Sequence, residues 1–228
     1  MRLLAIDSAL PAVSACVLES GERAPLASES LPMSRGHAEA LMPLIARVMQ
    51  ATPGGFESLD RIVATIGPGS FTGIRIGLAA ARAIGLACGK PVVGVSTLAA
   101  LAAPLILAHD ERPILACVDA RHGHCYAQMF SGEGNALGPP RVALNMEVAA
   151  LACQQPCRLV GDGASLVAVE AWARGAKAEV VGAATVPLIE FVAMLGFLAE
   201  PGAAPPRPLY LKAVDAAPMR GAPIGAGA

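Results

Sequence analysis

From residue 73 to residue 89 a glycine or alanine returns at every fourth position: Gly73, Gly77, Ala81, Gly85 and Gly89. In a helix that spacing draws a ridge of small residues drifting slowly around the axis. Each interior glycine costs about 0.8–1 kcal/mol relative to alanine, so the ridge must recover that free energy elsewhere. Close approach of another element recovers it through dispersion contacts. The other residues, Ile74, Ile76, Leu78, Ile84 and Leu86 among them, leave almost no polar face, which only Arg75 and Arg82 break. A helix so apolar is buried on more than one side. One side packs on a sheet. The other is covered either by a helix over 36–50 or by a second polypeptide, and both readings stand.

The turn ahead of this helix, Gly67-Pro68-Gly69-Ser70, leads from a strand into the helix, with Ser70 as a candidate N-cap. Free amides at such a start can cradle an anion. The pattern G-x-G-x-x-x-G lacks a following Gly-Lys-Ser/Thr, so it is neither a P-loop nor a dinucleotide fingerprint. A tight turn without ligand and an anion site are the two readings.

Hydrophobic residues make up 54% of the 228 and charged residues 15%, ample for a large core. The net charge of −1, from 17 basic and 18 acidic residues, gives no general attraction to phosphate backbones. The apolar start stops at Asp7, too short for a signal peptide, and Arg75 and Arg82 interrupt the most apolar stretch, residues 71–89. The six cysteines form no Cys-x-x-Cys pair and read as free thiols. A cytoplasmic chain without a membrane span is expected.

The pattern predicts strands over 2–6, 12–18, 25–31, 62–66 and 92–95, with helices over 36–50, 70–88 and 96–107. It restarts after Arg112, with strands over 114–118 and 125–130, short strands near 158–160 and 178–181, and helices near 146–153, 163–174 and 186–199. Two halves that each open with a hairpin point to a duplicated α/β domain. The expected division is 1–108 and 109–200, then a Pro/Gly/Ala-rich tail over 201–228 that ends in disorder past Gly221.

Leu4-Ala5-Ile6-Asp7-Ser8-Ala9, the 67–77 motif, Gly94-Val95-Ser96-Thr97-Leu98, Asp119-Ala120-Arg121, Tyr126, Gly161-Asp162-Gly163 and Tyr210-Leu211-Lys212 resemble the TsaB (YeaZ) family. The resemblance implies an actin/Hsp70-like (ASKHA) fold of duplicated RNase H-like lobes, mixed sheets flanked by helices. It also implies a non-catalytic partner of TsaD, working with the ATPase TsaE, in forming N6-threonylcarbamoyladenosine at position 37 of tRNAs that decode ANN codons. On this expectation tRNA is met only through the assembled complex. ATP is used by the complex and not bound productively by this chain, and the chain alone can form a homodimer. The family pairs through its two N-lobe helices, which places the interface at His37, Leu41, Leu44, Ile45, Gly73, Ile74, Arg75, Gly77, Leu78, Ala81 and Arg82. Leu78→Glu is then expected to weaken pairing without unfolding the monomer. Lys212 stands where the family usually has arginine, and the two differ at a bidentate contact.

For chemistry of its own the chain offers little. Catalytic relatives hold a metal with His-x-x-x-His, and here Leu41 stands four residues after His37. His122 and His124 lie on one side of a hairpin without an obvious third ligand. Asp7, Ser8, Asp119 and Gly161-Asp162-Gly163 mark a vestigial nucleotide site or, alternatively, structural turns. A stand-alone actin-like ATPase or small-molecule kinase is the competing reading.

Overall fold

The computed structural model describes residues 1–22, 24–182 and 185–212. The expected disorder past Gly221 lies outside them. The first sheet begins as a meander, β1 (Arg2–Asp7), β2 (Ala12–Glu19) and β3 (Ala27–Pro32). Helix α1 (His37–Gln50) follows, then β4 (Arg61–Thr65), helix α2 (Phe71–Cys88) and β5 (Val92–Val95). Helix α3 (Thr97–Ile106) leads to the second sheet: β6 (Ile114–Asp119), β7 (His124–Phe130), β8 (Arg141–Leu144), helix α4 (Asn145–Ala152), β9 (Cys157–Val160), helix α5 (Ala164–Trp172) and β10 (Ala178–Val180). Helix α6 (Ile189–Leu198) closes the order.

The sheet orders are β3-β2-β1-β4-β5 and β10-β9-β6-β7-β8, one pattern used twice. In each, two antiparallel pairs build the meander, and parallel strands extend it on the far side of the first strand. This is the duplicated RNase H-like, actin-like architecture. The edge strand β8 escapes sequence reading because its four residues, none fully buried, carry no period long enough to register.

Alternation sends opposite faces of each sheet to different helices. Leu4, Ile6, Val13, Ile62 and Ala64 pack with α1 and α2, whereas Leu3, Ala5, Cys16, Val63 and Val93 pack with Ile189, Val192 and Ala193 of α6. In the second sheet, Leu115, Cys117 and Leu159 face α4 and α5, and Ile114, Ala116 and Val118 face Leu98, Leu101 and Ala102 of α3. A division at residues 108 and 200 therefore needs correcting for two helices. Helix α3, drawn with the first half, covers the second sheet; α6, drawn with the second half, covers the first. The two touch between the lobes, leaving α1/α2 and α4/α5 as the outer layers.

From Gly73 to Gly85 the ridge of small residues is covered from within, which corrects half of the interface expectation, whereas Gly89 is the exposed C-cap of the helix. A Cβ on Gly77 would stand 2.6 Å from the Ser8 Oγ, one on Gly73 would overlap the Ser8 carbonyl oxygen, and one on Gly85 would overlap Val92. Leu41, Leu44, Ile45, Ile74, Leu78 and Ala81 are at most 2% exposed, in the core beneath the same helices. None of these residues has surface left to offer a partner. Leu78→Glu, expected to spare the monomer, would instead bury a carboxylate in that core. By length and composition α2 would reach across a bilayer, but its small-residue side is seated on the sheet.

The described part of the tail docks on the fold. Residues 201–212 run as a strap over the first lobe: the Gly94 amide donates to the Ala204 carbonyl at 3.0 Å and the Leu209 amide to the Ile66 carbonyl at 2.8 Å. A Cβ on Gly94 would stand 2.9 Å from the Pro205 carbonyl oxygen, so glycine makes the room for the strap. Cys16, Cys117, Cys125 and Cys157 are buried thiols, Cys88 is half-buried and Cys153 exposed.

Candidate functional site

Two surfaces remain for function in the first lobe, the outside of α1/α2 and the cleft where the lobes meet. On α2 the exposed side runs through Thr72, Arg75, Ala79, Arg82, Ala83, Leu86 and Ala87, with Ile76 half-buried among them. Leu86 is 86% exposed. On α1 the exposed residues are Ala38, Glu39, Met42, Pro43, Ala46, Arg47 and Gln50. Small and apolar residues predominate, and neither helix offers a nucleophile or an acid–base pair there.

The two arginines expected at this face are committed to the strap. Arg75 stacks on the Phe71 ring at 3.7 Å, and its Nε donates to the Tyr210 hydroxyl at 2.9 Å. Arg82 donates to the Pro206 carbonyl. Both remain exposed, so they border the face while clamping the tail. Sequence reading missed this pairing; the one available signal was Tyr210, an aromatic residue in a proline-rich stretch.

The interlobe cleft holds a cavity of about 330 Å³ lined by Leu10, His37, Ser70, Asp119, Arg121 and Asp162, among others. His37 reaches it from the start of α1 and lies 3.2 Å from the Leu10 carbonyl, a local polar contact on the cleft side. Ser70 caps α2 by accepting from the Gly73 amide at 3.2 Å. Asp7 and Ser8, expected in a nucleotide site, are not in the lining. The Asp7 carboxylate is buried and accepts from the Thr65 hydroxyl and, at 3.0 Å, the Ala9 amide, and Ser8 Oγ donates to the Gly73 carbonyl at 2.8 Å. Burial raises the Asp7 pKa above the usual carboxylate value, which the donors from Thr65 and Ala9 only partly oppose.

Asp119 occupies the matching position in the second lobe. Its Oδ1 accepts from the Arg121 amide at 2.8 Å, the same two-residue turn that Asp7 makes with Ala9. Asp162 accepts from the Asp119 amide at 2.9 Å, and burial raises its pKa too. Gly161 and Gly163 seat their turn on β6: a Cβ on Gly161 would overlap the Cys117 carbonyl oxygen, and one on Gly163 would stand 3.1 Å from the Asp119 amide nitrogen. Of the two readings, vestigial nucleotide site or structural turn, the geometry favours the turn: Asp7, Asp119 and Asp162 each accept a backbone amide. His122 and His124 meet through the backbone, with the His124 Nδ1 2.9 Å from the His122 carbonyl.

Residues 32–151 match the family model described as TsaD, tRNA N6-adenosine threonylcarbamoyltransferase. The tRNA threonylcarbamoyladenosine biosynthesis protein TsaB of Escherichia coli (strain K12) is 31% identical over 137 residues, 60% of this chain and 58% of that protein. The TsaB of Haemophilus influenzae is 29% identical over 55% of this chain and 52% of its own length, so the chain matches under two thirds of either relative. An uncharacterized protein of Mycobacterium tuberculosis (strain H37Rv) is 33% identical over 75% of this chain and 85% of its own. Among solved structures, YeaZ from Pseudomonas aeruginosa superposes with a TM-score of 0.77 at 26% identity, covering 92% of this chain and 99% of that one. By sequence and by the arrangement of both lobes, the chain belongs to the TsaB (YeaZ) family, within the wider group that the TsaD model describes.

Proposed function

We propose that this chain is a non-catalytic, cytoplasmic subunit of the assembly that forms N6-threonylcarbamoyladenosine at position 37 of ANN-decoding tRNAs. It pairs with TsaD, works beside TsaE, and forms a homodimer when alone. The observation that carries this reading is the contrast between the two surfaces. In the cleft Asp119 and Asp162 each accept a backbone amide, while the α1/α2 layer leaves Met42, Ala83 and Leu86 exposed with no described element over them. An apolar helical pair of this kind fits a second polypeptide. The part it plays is to hold the partner in its competent arrangement through contacts made only in that arrangement. ATP belongs to the assembly's chemistry, and tRNA meets the subunit within the assembly.

Reconstitution tests this reading. With TsaD, TsaE, ATP, threonine-derived adenylate and tRNA present, modification is expected only when this chain is added. Modification at an equal rate without it would overturn the proposal. A stand-alone ATPase or kinase would instead turn over Mg-ATP in isolation.

A further inference from the structure

Beside the interlobe cavity, on the strap side, a second hollow of about 240 Å³ opens. Three stretches far apart in sequence wall it: the start of α2, the β6–β7 turn and the end of the strap. They bring together three aromatic residues, Phe71, Tyr126 and Tyr210, with Arg121, His122 and Lys212, and among the described residues the lining holds no Asp or Glu. The aromatic side is preassembled. Phe71 and Tyr210 stand with ring centroids 5.1 Å apart, and Arg75 lies over Phe71. Opposite them, Arg121 and His122 hold φ of 63° and 53°, a left-handed conformation that L side chains adopt at a cost. Asp119 of the adjoining cavity pairs with Arg121 at 3.1 Å, yet the Arg121 side chain stays 76% exposed.

Aromatic faces beside a largely exposed guanidinium recognise a flat ring joined to an anionic group. The volume lies below the roughly 300–1,000 Å³ of drug-sized sites, so the hollow takes about one base and not a dinucleotide. We propose that it binds a phosphorylated nucleoside, with the base against the Phe71 and Tyr210 side and the phosphate toward Arg121 and His122. The nucleoside comes either as a free mononucleotide or as one residue of an RNA strand. The site is complete within one chain and stands independently of the partner role.

Nuclear magnetic resonance titration of the full chain with AMP, with a single-stranded hexaribonucleotide and with inorganic phosphate tests it. Saturable shifts centred on Phe71, His122 and Tyr210–Lys212 are expected with AMP or the hexamer, and affinity should fall as salt rises. Saturation by AMP identifies the free nucleotide as the source, whereas a hexamer binding at least about tenfold more tightly identifies a strand. Arg121→Ala and Tyr210→Ala should each weaken binding about tenfold, with Arg121→Lys losing less. Because Tyr210→Ala also loosens the strap, Tyr210→Phe serves beside it: it keeps the ring and should bind as the wild type does. No saturable shift with either nucleotide probe would overturn the proposal. So would phosphate binding as tightly as both, or shifts centred on Ser34, His37 and Asp162.

Discussion

Ser8 and Gly73 lock the end of β1 to the first turn of α2: the Ser8 hydroxyl donates to the Gly73 carbonyl at 2.8 Å, and a Cβ on Gly73 would overlap the Ser8 carbonyl oxygen. The ridge of small residues is therefore an internal joint that brings α2 onto its own sheet. Among the described residues the opposite side of the helix is the exposed one.

Gly73→Ala and Gly77→Ala should each destabilise the chain by about 1–3 kcal/mol, because overpacking at a backbone contact outweighs the better helix propensity of alanine. In a chain of this size that lowers the melting temperature by roughly 2–4 °C per kcal/mol. Thermal unfolding followed by circular dichroism reads the change. An unaltered midpoint would mean that Ser8 yields freely.

Met42→Glu and Ala83→Glu should abolish co-purification with TsaD and leave the unfolding midpoint within about 2 °C, since both positions are exposed and such surface changes stay within about ±0.5 kcal/mol. Val169 on α5 is 60% exposed on the other outer layer, so Val169→Glu is the control and should pair normally. Leu78→Glu should fail to fold. If Val169→Glu disrupts pairing and Ala83→Glu does not, the partner sits on the wrong layer for this model of the assembly.

The strap depends on Gly94 and on two arginines. Gly94→Val would press on Ile66 and the Pro205 carbonyl, and Arg82→Ala removes the bond to Pro206. Limited proteolysis should cut residues 201–212 faster in both variants, with Gly94→Val the more sensitive. Equal cleavage rates would show that these contacts do not hold the strap.

Stability should fall as pH rises through the Asp7 titration. Its folded pKa is raised by burial, so its contribution is complete below the unfolded value near 3.9 and is lost as pH climbs through the folded value. Asp7→Asn keeps an acceptor for Thr65 and Ala9 and removes the ionisable group. The variant should gain on the wild type in melting temperature as pH rises above the unfolded carboxylate value, and a pH-independent gap would contradict the assignment. Asp110 acts in the opposite sense and in a separate window: the Arg112 guanidinium holds it down to about 2, so its contribution is lost only as pH falls from near 4 toward 2.

The sequence by itself determined the strands and helices that have their own period, the repeated strand–hairpin opening, and the motifs that resemble the TsaB family. Leu4-Ala5-Ile6-Asp7 and Ile114 through Asp119 announce the two sheets because buried strands read as apolar runs ending in a polar turn. Ser70 announces a helix start because an N-cap is a local bond. What only the tertiary structure decided is where each side faces. A ridge of glycines states that something approaches closely, but not whether Ser8 or a second molecule does so. Likewise, α3 and α6 are apolar enough to cover either sheet, and their exchange between lobes follows from the path of the connections. The strap over Gly94 and the Phe71–Arg75–Tyr210 stack join residues more than a hundred positions apart, and no local period encodes a contact of that separation.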